Sequence, residues 1–137
     1  QQPAPTPPQV SIKASQTATL GELVMQRQNM TCTWSSVVDG FAATNQAYIS
    51  ADGKVRVDST ASRDGMSATG HAIYLPTASD TWTGTTYGWT DIFSNNVGFK
   101  GTFTLKSSEE KFDFSCASWK VDQSKFAIPT DRTFKST

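Results

Sequence analysis

Three Asp-Gly pairs, Asp39-Gly40, Asp52-Gly53 and Asp64-Gly65, stand 13 and then 12 residues apart in a chain of 137. Asp tolerates and Gly favours the positive φ of a two-residue type I′ turn, and that turn matches the twist of the strands it joins. The spacing predicts consecutive hairpins. Further breaks at 76–80, 94–98 and 107–110 cut the remainder into strand-length segments, so about seven strands are expected in an antiparallel meander. Ser and Thr supply 35 of the 137 residues and aromatics 11%, a composition suited to strands with one wet face.

The length and a hydrophobic content of 36% suffice for one core. Four of the six prolines, Pro3, Pro5, Pro7 and Pro8, lie in the first eight residues and favour extended polyproline conformation. Residues 1–13 read as a flexible tether and 14–137 as a single domain. Residue 1 is Gln and no basic stretch with an apolar run precedes it, so the start reads as a processed or engineered end. Twelve basic residues balance twelve acidic ones, which leaves no basic stripe for nucleic acid. Apolar runs fall far short of the roughly 20 residues of a membrane span.

One helix is signalled, at about 20–28. Thr19 is placed to cap it, Glu22 completes a capping box, and Leu20, Leu23 and Val24 share a face. Asn29 is expected to end it in a left-handed conformation. So short a helix must dock on a sheet.

Alternation places side chains on faces. Phe99, Phe103 and Leu105 point inward, as do Val55 and Val57. The stretch 81–93 mixes Trp82, Tyr87, Trp89 and Phe93 with glycines and keeps no clean period, which predicts a bend or bulge. Asp122 is placed to cap one helical turn before Pro129, and Phe126, Ile128 and Phe134 to latch the tail to the sheet. Cys32 shares a phase with Met30 and Trp34, and Cys116 with Phe112 and Phe114, so both cysteines face the core. Their separation of 84 residues suits neither a zinc site nor a redox pair. A Cys32–Cys116 disulfide tying the first of these strands to the last is the reading, against two buried thiols in a reducing compartment. Asn29-Met30-Thr31 is a glycosylation triplet, relevant only where the host glycosylates.

The helix residues, Met30-Thr31-Cys32-Thr33-Trp34, Tyr48-Ile49 and 52–58, with the closing Cys116-Ala117-Ser118-Trp119, Val121-Asp122, Phe126, Pro129, Asp131 and Phe134, resemble small exported proteins of candidate-phylum bacteria. That resemblance implies export, a disulfide and an anchor upstream, and carries no activity. The order of helix then meander is similar, more loosely, to the bacterial lipoprotein-carrier fold, a curved sheet around helix that binds acyl chains. The expected fold is thus mainly β: a meander forming a curved sheet or half-barrel on one short N-terminal helix.

Chemistry is sparse. The single His71 lies in a strand with Ile73 and Leu75 and reads as a core or boundary residue rather than a catalytic base. No nucleophile elbow, phosphate loop or calcium loop is present, and Glu109-Glu110 reads as a solvated turn rather than a glycosidase pair. No enzyme, metal or cofactor is expected. Tyr74, Trp82, Tyr87, Trp89 and Phe93 fall within twenty residues and are the candidate ligand-binding residues, with core filling as the alternative. The functional expectation is an extracytoplasmic, secreted or envelope-tethered binding domain for a lipid or other amphiphile. The alternative is a cell-surface module that engages an envelope protein or glycan through exposed aromatics.

Overall fold

The computed structural model describes residues 12–77, 82–91, 97–105 and 110–136. Its elements are β1 (Ser15–Thr19), α1 (Leu20–Val24), β2 (Met30–Val38), β3 (Phe41–Ile49), β4 (Val55–Arg63), β5 (Met66–Pro76), β6 (Thr83–Thr90), β7 (Val97–Thr104), β8 (Lys111–Ser118), a 3-10 turn (Gln123–Phe126) and β9 (Thr133–Ser136). All nine strands join one sheet in the order β1-β8-β2-β3-β4-β5-β6-β7-β9. The expected meander is its centre, β2 to β7. The strands beyond the expected seven are the short edges β1 and β9, whose sequences SQTAT and TFKS bury too few side chains to show a pattern. β9 runs parallel to β7, which makes the sheet mixed.

Asp39-Gly40 and Asp64-Gly65 are the two-residue turns expected: all four residues have positive φ, and the ladders close at Val38↔Phe41 and Arg63↔Met66. Asp52-Gly53 departs from expectation, because only Gly53 takes positive φ and it sits in a five-residue connection, 50–54. There the buried Ser50 organises the connection: its carbonyl accepts from the Gly53 N–H at 3.0 Å, closing a β-turn over 50–53, its backbone N–H donates to the Lys54 carbonyl at 3.0 Å, and its hydroxyl accepts from the Lys54 N–H at 3.1 Å and donates to Asp52. The bulge expected within 81–93 is not found among the described residues. β6 pairs without interruption from Gly84↔Pro76 to Thr90↔Gly70.

The capping box of α1 forms as expected, with Thr19 N–H donating to Glu22 Oε1 at 3.0 Å and Glu22 N–H donating to Thr19 Oγ1 at 3.1 Å. The helix is shorter than its signal. It ends at Val24, and Arg27 rather than Asn29 takes the left-handed conformation. Asn29 instead supports the β3–β4 connection, where its side-chain oxygen accepts from the Ala51 N–H at 2.7 Å. The Asp122-capped turn is present, its carboxylate accepting from the Ser124 N–H at 3.1 Å.

The sheet must curl. β7 and β8 stand six positions apart in the strand order, about 29 Å across a flat sheet at about 4.8 Å per strand. The chain from Thr104 to Lys111 reaches at most about 25 Å. Consistently, α1 follows β1 at one end of the sheet yet lies against the end of β7: a Cβ on Gly21 would sit 3.0 Å from the Leu105 carbonyl oxygen. The larger core fills this concave side, where Leu23, Val24, Met30, Ile49, Val55, Leu105 and Phe114 pack together. Ile12, within the expected tether, already packs against it. On the convex side, Ile73, Trp89 and Phe126 form a second core with Trp119, Ile128 and Phe134 around it, so the C-terminal segment is latched as expected.

Cys32 and Cys116 are bonded and directly opposed across β2 and β8, with Cα atoms 4.1 Å apart. Among the described residues no helix is long and apolar enough to cross a membrane.

Candidate functional site

The aromatic residues singled out from sequence divide between the two faces. Tyr74 belongs to the concave core and Trp82 packs against it. Trp89 is 7% exposed in the convex core, and Tyr87 meets Phe134 edge-on, ring centroids 5.3 Å apart. Phe93 lies outside the described residues. The described four therefore share no common surface, and two of them are buried.

Among the described residues the exposed aromatics are Phe99 and Phe103, expected inside from the alternation of β7. They do face the side that α1 covers, but 49% and 41% of their surfaces remain open, as does 37% of Val97. The reason is the short reach of α1, which covers only the end of β7 near Leu105. Neither ring is loose. Phe99 lies over Gly88, its partner on β6: a Cβ there would fall 2.2 Å from the ring. Tyr74 seats in the same way on Gly84, and Phe103 meets Tyr74 edge-on at 6.3 Å. Gly101, between the two phenylalanines, leaves a gap in the row. Thr86, its ladder partner, has a buried hydroxyl without a hydrogen-bond partner among the described residues. Glycines thus hold flat rings where water reaches them, an arrangement with an apolar cost unless something covers it.

His71 sits on the convex face between two carboxylates. Its Nδ1 is 2.6 Å from Asp58 and its Nε2 2.7 Å from Asp91. A carboxylate only accepts, so each contact is a hydrogen bond when the ring nitrogen it touches carries a proton. The imidazole stacks on Trp89 at 5.1 Å, and the guanidinium groups of Arg56 and Arg132 each lie 5.6 Å from that indole. Arg56 also donates to Asp58 at 3.0 Å and to the Lys125 carbonyl at 3.2 Å. This cluster ties the C-terminal segment to the sheet. Each imidazole nitrogen faces a carboxylate. Among the described residues no group of three or more His, Cys, Asp or Glu is placed to hold a metal ion.

Among the described residues three carboxylates sit below their ordinary range. The Thr19 backbone N–H lowers Glu22, and hydroxyl hydrogen bonds from Ser50 and Ser124 lower Asp52 and Asp122. All three cap turns.

A groove of about 550 Å³ lies elsewhere, between β2 and β8, and is lined by Thr33, Trp34, Ser35, Thr44, Lys111, Phe112, Asp113 and Ser115. It was not foreseen, because only the pairing of distant strands creates it. No family model, curated protein or solved structure matches this chain.

Proposed function

We propose that this is a non-enzymatic binding domain that works outside the cytosol and holds an apolar or amphiphilic ligand, such as an acyl chain, along β7. The observation that carries the reading is the pair Phe99 and Phe103, half open to water yet held by Gly88 and by Tyr74 on its own glycine seat. Rings ordered before binding cost the ligand little to engage. The disulfide supports the compartment, since such bonds persist where thiols are not kept reduced.

The test is titration with a fluorescent fatty-acid probe, alongside native mass spectrometry of protein purified without detergent. Wild type is expected to bind saturably. Phe99→Ser with Phe103→Ser is expected to lose about tenfold or more in affinity, as removal of two apolar contacts implies. Because both rings are half exposed, the melting temperature should move little. Absence of a saturable signal in wild type contradicts the proposal.

A further inference from the structure

β2 and β8 pair only from Met30↔Ser118 to Thr33↔Ser115. Both strands continue past that point, β2 to Val38 and β8 back to Lys111. In this upper half β2 pairs β3 on its far side, and β8 pairs β1. Among the described residues each is therefore a one-sided strand facing the other across the 550 Å³ groove. The sheet forks in its interior.

The phase of the ladder says which backbone groups face the fork. Opposed Cα atoms only 4.1 Å apart mark Cys32↔Cys116 as a non-hydrogen-bonded pair, so in β2 the odd residues direct N–H and C=O toward β8, and in β8 the odd residues direct theirs toward β2. Cys116, an even residue, agrees: its N–H donates the other way, to the Ala14 carbonyl at 2.9 Å. Ser35 and Val37 on one side, and Lys111 and Asp113 on the other, thus aim their main-chain donors and acceptors into the groove. Beneath it the rings of Trp34 and Phe112 lie 6.0 Å apart. Its walls are Thr33, Ser35, Thr44 and Ser115, which carry hydroxyls, together with Lys111 and Asp113.

We infer that the fork is a second binding site, for an extended peptide segment of a partner protein, inserted as a strand between β2 and β8. Main-chain hydrogen bonds to both edges supply the affinity. Since β2 and β8 are antiparallel, the guest runs parallel to one and antiparallel to the other. Its side chains alternate, one set toward Trp34 and Phe112 and the other toward the hydroxyls, so apolar and polar residues should alternate in it. Proline is excluded at the central positions, because it lacks the N–H.

The test uses the whole oxidised chain and a displayed library of random linear heptapeptides. In the free protein, the amides of Ser35, Val37, Lys111 and Asp113 are expected to exchange with deuterium far faster than those of Thr31, Thr33, Ser115 and Ala117. Selected peptides should alternate in polarity, lack central proline and protect those four amides. Alternate N-methylation should weaken the best peptide by about tenfold or more, the loss of one or two net hydrogen bonds. Thr33→Trp and, separately, Ser115→Trp place bulk at solvent-facing positions and should abolish peptide binding without lowering the melting temperature. Phe99→Ser should leave it intact, which separates this site from the β7 row. Slow exchange of the four amides in the free chain overturns the inference. So do a library without enrichment, peptides indifferent to N-methylation or to both tryptophan variants, and self-association of the protein that protects the same amides.

Discussion

Cys32 and Cys116 oppose each other where an antiparallel ladder brings Cα atoms closest, so the bond closes an 84-residue separation between neighbouring strands. The loop-entropy model assigns such a closure about 4 to 5 kcal/mol. Cys116→Ala is accordingly expected to cost about 3 to 5 kcal/mol in urea denaturation relative to the oxidised chain. An unchanged midpoint would contradict it. The pairing was legible from the shared phases of two strands, and so, in principle, was the partner of His71. The two-residue turn at Asp64-Gly65 puts Asp58 opposite His71 by counting back from Arg63↔Met66. Asp91 and Arg132 were not legible, because they reach the imidazole and its indole through separate connections whose path no local pattern specifies.

At the level of elements, glycines decide how β6 behaves. Gly84 and Gly88 spoil the alternation that marks a strand, yet each is the seat of a ring from a neighbouring strand. The sequence signal for a bulge and the structural reason for continuity come from the same residues. The two seats differ in what a methyl group would meet. At Gly84 a Cβ would fall 2.3 Å from the Leu75 carbonyl oxygen as well as against Tyr74, whereas at Gly88 it meets the Phe99 ring. Gly84→Ala is therefore expected to destabilise by about 1 to 3 kcal/mol. Gly88→Ala should cost less, because Phe99 can swing toward water, but should weaken fatty-acid binding. Denaturation and probe titration of both variants check the contrast, and equal stability losses would refute it. The β7 row escaped the sequence for a related reason: alternation tells which face a side chain takes, while exposure depends on how far α1 extends.

For the molecule as a whole, one curled sheet is closed covalently at β2 and β8, filled on its concave side by α1 and latched on its convex side by the C-terminal segment. Hairpin order was readable because turn chemistry is local. The return of β8 to the side of β2, which makes both the curl and the fork, depends on long-range pairing that turns do not encode. Acid should probe the caps that punctuate this architecture. Glu22, Asp52 and Asp122 release protons more readily in the folded chain than at their ordinary values of 4.5, 3.8 and 3.8. The unfolded chain therefore takes up more protons as the pH falls through that range. Their contribution should be complete above about pH 5 and decline below about pH 4. Urea midpoints measured down to strong acid should show that decline, and a flat profile would remove these carboxylates from the account.

The most direct measurement on the proposed function is an isotope-filtered NMR experiment on the oxidised protein with a carbon-13-labelled fatty acid. The account predicts cross-peaks from the acyl chain to the ring protons of Phe99 and Phe103. Cross-peaks confined to other residues, or none at saturating probe, would contradict it.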